Sequence, residues 1–143
     1  MSPQKNTMAV LGQIVKLIPK KLIESLRKKY KIQTRSFSAT SHVVTLIYAQ
    51  LSHALSLNDI CDAMRNHHGI LSQIRDCVPP SRNGLAHANR TRTADMAEEL
   101  FWTMYQFLQK HYAAFFQSSR NYPGLPRRFK RVIHAVDSST IPL

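Results

Sequence analysis

Apolar residues recur at helical spacing through most of the chain. Behind Thr7, whose hydroxyl suits an N-cap, Leu11, Ile14, Val15 and Ile18 hold the rhythm of one helix face. Pro19 then opens a second predicted helix, Pro19 to Tyr30. Leu22, Ile23, Leu26 and Tyr30 lie on one of its faces, and Lys20, Lys21, Arg27, Lys28 and Lys29 surround the rest. Residues Ile32 to Ser38 lack that period and are expected to form a linker turn or a short extended piece. A third helix is expected from Ala39 to Leu55, where Val43, Val44, Leu46, Ile47, Tyr48, Leu51 and Leu55 leave it apolar almost all round, as suits a helix through the middle of a bundle. Ser56-Leu57-Asn58-Asp59 is an S-x-x-D start for a helix ending near His67. One or two further turns follow over Gly69 to Asp76, Val78-Pro79-Pro80 breaks them, and Ser81 caps another short helix through about Arg92. In the longest periodic segment, Ala94 to Gln117, Ala97, Leu100, Phe101, Met104, Leu108, Tyr112 and Phe115 form one stripe, widened by Trp102, Tyr105 and Phe107. That stripe predicts a second wall of the core.

Beyond it the pattern changes. Ser118 to Pro126 is turn-forming, Arg127, Arg128, Lys130 and Arg131 make a basic run, and Val132 to Val136 is a β-branched run that reads as a buried strand ending at Asp137. No second strand follows to satisfy its backbone, so the chain is expected to stop at the start of a further domain. The expected fold is mainly α. It is a helical bundle over residues 1–117 with a helix-turn-helix-like segment, then a basic linker over 118–130 and a single strand stub over 131–143.

Charge narrows the partners. The 143 residues carry 20 Lys and Arg against 8 Asp and Glu, a formal +12, while 43% apolar content is too high for a disordered basic tail. Met1 to Arg35 contributes +8, Ser36 to Gln117 balances, and Ser118 to Leu143 contributes +4. Two basic flanks around a neutral middle suit a phosphate backbone, because each phosphate neutralised releases counterions. The longest apolar stretch, Val43 to Leu55, is interrupted by Thr45, Gln50, Ser52 and His53 and falls short of the roughly 20 residues of a membrane span. The N-terminus lacks the apolar run of a signal peptide, so no membrane partner and a cytoplasmic location are expected. Cys61 and Cys77 fit no zinc spacing and read as buried thiols.

Three groups of residues bear on chemistry. In the helix after Ser81, Leu85 and Ala88 face inward, leaving Arg82, Asn83, His87, Asn89, Arg90 and Arg92 outward. Arg suits guanine edges or phosphates, Asn suits adenine edges, and the helix start offers free N–H groups. The plainer alternative is a capped surface helix, and Gly84 weakens it by about 1 kcal/mol. Asp137, at a strand end before small hydroxyl residues, occupies a place where phosphoryl-transfer folds hold Mg²⁺, although turn caps look the same. The seven histidines, including His67-His68, show no ligand spacing, and no metal is assigned to them.

Four segments carry a family resemblance: KLIPKKLIESLRKKYK, RSFSATSHVVTLIYAQLSHALSLNDI, SRNGLAHANRTR and VDSSTI. In this order, from about Leu11 to Leu143, the chain resembles the N-terminal part of DDE-type transposases of the insertion-sequence-four family. The more specific motifs are S-F-x-x-x-S-H followed by L-S-L-x-D-I, and D-S-[ST]-T-I. The resemblance implies a helical DNA-binding domain joined to a ribonuclease-H-like catalytic domain. It also implies Asp137 as the first acid of an Asp-Asp-Glu triad that holds Mg²⁺ in the intact family. It places Ser81 to Arg92 on a segment of S-x-x-x-L-x-x-A-N-x-x-R spacing with a DNA role. The second Asp, the Glu and the family's Tyr-Arg-Glu-Lys signature are missing from these 143 residues. The fragment is therefore expected to bind double-stranded DNA at element ends, with no cofactor and no cutting or joining by itself. Phosphate contacts are expected from Lys20, Lys21, Arg27, Lys28 and Lys29, and base contacts from the helix after Ser81. A rival expectation has the fragment catalytic as it stands. Another makes it a protein-interaction or inhibitory fragment that pairs with itself or with full-length transposase, or a functionless remnant.

Overall fold

The computed structural model describes residues 3–112, with side chains from Thr7 onward. The described residues are mainly helical and form seven helices: α1 (Pro3–Leu17), α2 (Leu22–Lys29), α3 (Ala39–Ser52), α4 (Leu57–Asn66), α5 (His68–Gln73), α6 (Arg82–Thr91) and α7 (Ala94–His111). No strand occurs among the described residues. The basic linker over 118–130, the strand stub over 131–143 and Asp137 lie outside them. Met1–Phe107 forms one compact unit.

Two apolar clusters hold this unit together. The larger gathers Met8, Leu11 and Val15 of α1, Val44 and Tyr48 of α3, Ile60, Cys61 and Met64 of α4, Leu71 of α5 and Leu85 of α6, with Ile74 and Cys77 between α5 and α6. The smaller joins Ile18, Ile23, Leu26, Ile32, Ala39 and Met96, with Leu22, Tyr30, Val43, Leu100 and Met104 packed around them. Helix α3 borders both clusters and packs against α1, α2 and α4, so its central place follows the expectation. Its faces do not. The buried side carries Ser41 and Thr45, whose polar atoms are satisfied: Thr45 donates to the Ser41 carbonyl at 2.7 Å, and the Ser41 hydroxyl accepts from the Val78 amide at 3.1 Å. Leu46 faces outward, and Leu55, placed on α3 by its spacing, is 97% exposed beyond a helix that ends at Ser52 with His53 in the left-handed region.

Caps set the other boundaries. The hydroxyls of Ser38, Ser56 and Ser81 accept the amides of Ser41 (3.0 Å), Asp59 (3.1 Å) and Gly84 (3.0 Å), starting α3, α4 and α6. Helix α1 begins at Pro3, upstream of the Thr7 start expected for it, and α2 begins at Leu22 after a turn closed by the Leu22 amide on the Pro19 carbonyl. Both cysteines are free and buried, and burial pushes Cys77 up to about 11.

The expectation for α7 as a second core wall holds in part. Met96 is buried and Leu100 and Met104 are half-buried in the smaller cluster, but Phe101 and Trp102 are 59% and 52% exposed. Phe101, Trp102 and Tyr105 pack on one another instead, with ring centroids 5.1 to 6.2 Å apart.

Candidate nucleic-acid interface

Helix α6 is built to present side chains outward. Pro79-Pro80 ends the preceding segment, Ser81 caps the helix, and Leu85 and Ala88 seat it on the core, with α4 as its main packing partner. Residues 74–81 separate α5 from α6, longer than the roughly three- to four-residue turn of a tight helix-turn-helix. The unit is therefore α6 braced on α4, with α5 following α4 after the single residue His67.

Opposite the buried side, Asn83, His87 and Arg90 stand at i, i+4 and i+7 and form one exposed ridge, with Arg82 exposed on its flank. The side chains of Arg82, Asn83, His87 and Arg90 make no hydrogen bond or ion pair among the described residues. The other two predicted contacts are engaged internally. Asn89 Oδ1 accepts from His42 Nε2 at 2.8 Å, which ties α6 to α3. Burial holds the His42 pKa below its ordinary value, in keeping with a neutral ring that donates through Nε2. Arg92 donates to the Ser38 carbonyl at 3.2 Å and to the Phe37 carbonyl, and its guanidinium lies 5.3 Å from the Phe37 ring centre. Ser81 uses its hydroxyl as the cap.

The basic helix divides in the same way. Ile23 and Leu26 bury one side of α2, while Lys20, Lys21 and Lys28 are exposed and make no ion pair among the described residues. Arg27 makes a fork with Glu24, at 2.9 and 2.6 Å, and holds that carboxyl below the usual range. Lys29 donates to both Glu99 oxygens at 2.7 and 2.6 Å, and Tyr30 donates to the same carboxylate, which pushes the phenol up to about 12. Such exposed pairs add little to stability, because solvent screens them. They do neutralise two of the five expected phosphate-binding charges.

Between the linker after α2 and α6 lies an open groove of about 790 Å³. Lys31, Arg35 and Phe37 line one side and Gly84, His87, Ala88 and Thr91 the other, with Arg92 at the end of α6. Lys31 and Arg35 carried no signal beyond their charge, because the linker has no period that assigns its side chains to a face.

Residues 6–74 match the family model of a domain of unknown function (DUF4372). The DUF4372 region covers just under half of the chain and runs from within α1 through α5, so α6 and α7 lie beyond it. No curated protein and no solved structure matches the chain. Among the described residues no three His, Cys, Asp or Glu side chains gather as a metal site, and no helix is long and apolar enough to cross a membrane.

Proposed function

We propose that this chain is the DNA-binding N-terminal part of an insertion-sequence transposase, contacting duplex DNA through α6 and the exposed lysines around α2. The observation that carries this reading is the ridge of Asn83, His87 and Arg90 on a capped helix whose other side is fixed by Leu85 and Ala88. A helix held by its core face with unpaired Arg and Asn on the opposite face has the donors and acceptors that base edges require. Lys20, Lys21 and Lys28 add sequence-independent attraction to phosphates. The transposase assignment rests on the four resembling segments, with residues 6–74 inside the DUF4372 region. Asp137 would serve as a Mg²⁺ ligand only together with the second Asp and the Glu.

The test is a binding selection on random duplexes followed by Asn83→Ala and Arg90→Ala variants. If α6 reads bases, each variant relaxes preference by about 1 to 3 kcal/mol at one position of the selected site. Unchanged preference in both would remove α6 from base readout. The exposed Phe101 and Trp102, packed on the half-buried Tyr105, favour a second reading, in which the helical unit pairs with another protein copy. Co-purification with a tagged second copy that Trp102→Ala abolishes would support that reading.

A further inference from the structure

The groove beside α6 has properties that neither the ridge nor α2 accounts for. Its fully charged side chains, Lys31, Arg35 and Arg92, are all cationic, His87 stands among them, and no Asp or Glu among the described residues lines it. Its floor is apolar, through Ile32, Phe37 and Ala88. The linker wall is fixed in place. Lys31 turns the chain out of α2 at φ 51°, Ile32 is buried in the smaller cluster, and Arg92 holds the Phe37 and Ser38 carbonyls against the end of α6. Arg27 approaches the Ile32 carbonyl at 3.5 Å from the other side. A preformed cationic groove with an apolar floor suits a ligand that alternates anionic and apolar parts, as phosphates and sugars do.

We propose that this groove seats the sugar–phosphate backbone of one DNA strand, with Lys31 and Arg35 neutralising phosphates while the neighbouring ridge of α6 faces the bases. The proposal rests on the DNA-binding reading and adds to it a second wall of contacts, one that places α6 by gripping the backbone alongside it. His87 belongs to both surfaces, since it lines the groove and stands on the ridge.

The experiment is a fluorescence anisotropy titration of the full chain with a labelled mixed-sequence duplex at several salt concentrations. Two variants are compared with the parent protein. The first is Lys31→Asn with Arg35→Gln; both positions are exposed, and Asn tolerates the left-handed backbone at residue 31. The second is Thr91→Tyr, which fills the groove from an exposed position without removing charge. Thermal melts by circular dichroism check that each variant is folded. The double variant is expected to bind at least about tenfold more weakly at low salt, and its slope of log K against log salt is expected to be shallower by about 1.8, at roughly 0.9 per lost phosphate contact. Thr91→Tyr is expected to weaken binding by a similar factor. If the parent protein binds the duplex and both folded variants match it in affinity and slope, the groove assignment is wrong and the DNA-binding reading stands. If the parent protein binds no duplex, both fall.

Discussion

At Gly84 a methyl group would stand 2.9 Å from the Ser81 oxygen that caps α6, closer than a carbon can sit beside it. The cap of α6 therefore sits closer over Gly84 than a side-chain carbon would allow and would have to shift for one, as the same caps on α3 and α4 accommodate Ser41 and Asp59 at that position. Gly84→Ala is therefore expected to leave stability to urea nearly unchanged, because the propensity gain of about 1 kcal/mol is offset by a displaced cap. Ser81→Ala is expected to lower stability by about 1 kcal/mol in the same measurement. His42 gives a pH prediction. Burial lowers its pKa from 6.5, so the unfolded chain takes up the proton first as pH falls. The stability of the neutral ring is complete above about pH 6.5 and declines as acid goes below it. His42→Gln, measured by melts across pH 5 to 8, should flatten that part of the profile. Residue-scale chemistry was readable where it is local: the Ser56 and Ser81 caps act on amides three positions away. The loss of Asn89 and Arg92 to internal partners was not readable, because those partners are 47 to 55 positions distant.

Helical spacing marks α1, α2, α3 and α7, serine start signals mark α4 and α6, and α5 is expected only as one or two turns; none of these says how much of each apolar face finds a partner. The stripe on α7 is continuous in sequence, yet the smaller cluster offers surface only to Met96, Leu100 and Met104 and leaves Phe101 and Trp102 in solvent. On α3 the same logic failed in the opposite sense, since Ser41 and Thr45 are buried because backbone groups one turn away and in the α5–α6 connection satisfy them. The link between α2 and α7 also changes what α2 can do. Glu99 neutralises Lys29 and holds the Tyr30 phenol at about 12. Glu99→Gln should release both. Spectrophotometric titration should find a tyrosine ionising nearer the ordinary 10, and duplex binding should gain up to about 0.9 in its salt slope from the freed Lys29. An unchanged phenol titration would show that the contact is not maintained in solution.

For the whole molecule, the uneven charge and the two clusters agree. Most cations of the first flank lie on α2 and the segments beside it, whose apolar residues Ile23, Leu26 and Ile32 belong to the smaller cluster, and the balanced middle supplies most of the larger cluster and the ridge of α6. The mainly helical class of residues 3–112 was readable from period and caps, whereas the grouping of Lys31 and Arg35 with His87 required the path of the linker in space. If this arrangement binds duplex DNA, its affinity must fall with rising salt. With Lys20, Lys21, Lys28, Lys31 and Arg35 each engaging a phosphate, log K should fall against log salt with a slope of roughly −4 to −5. A flat response, or no duplex binding at low salt, would contradict it.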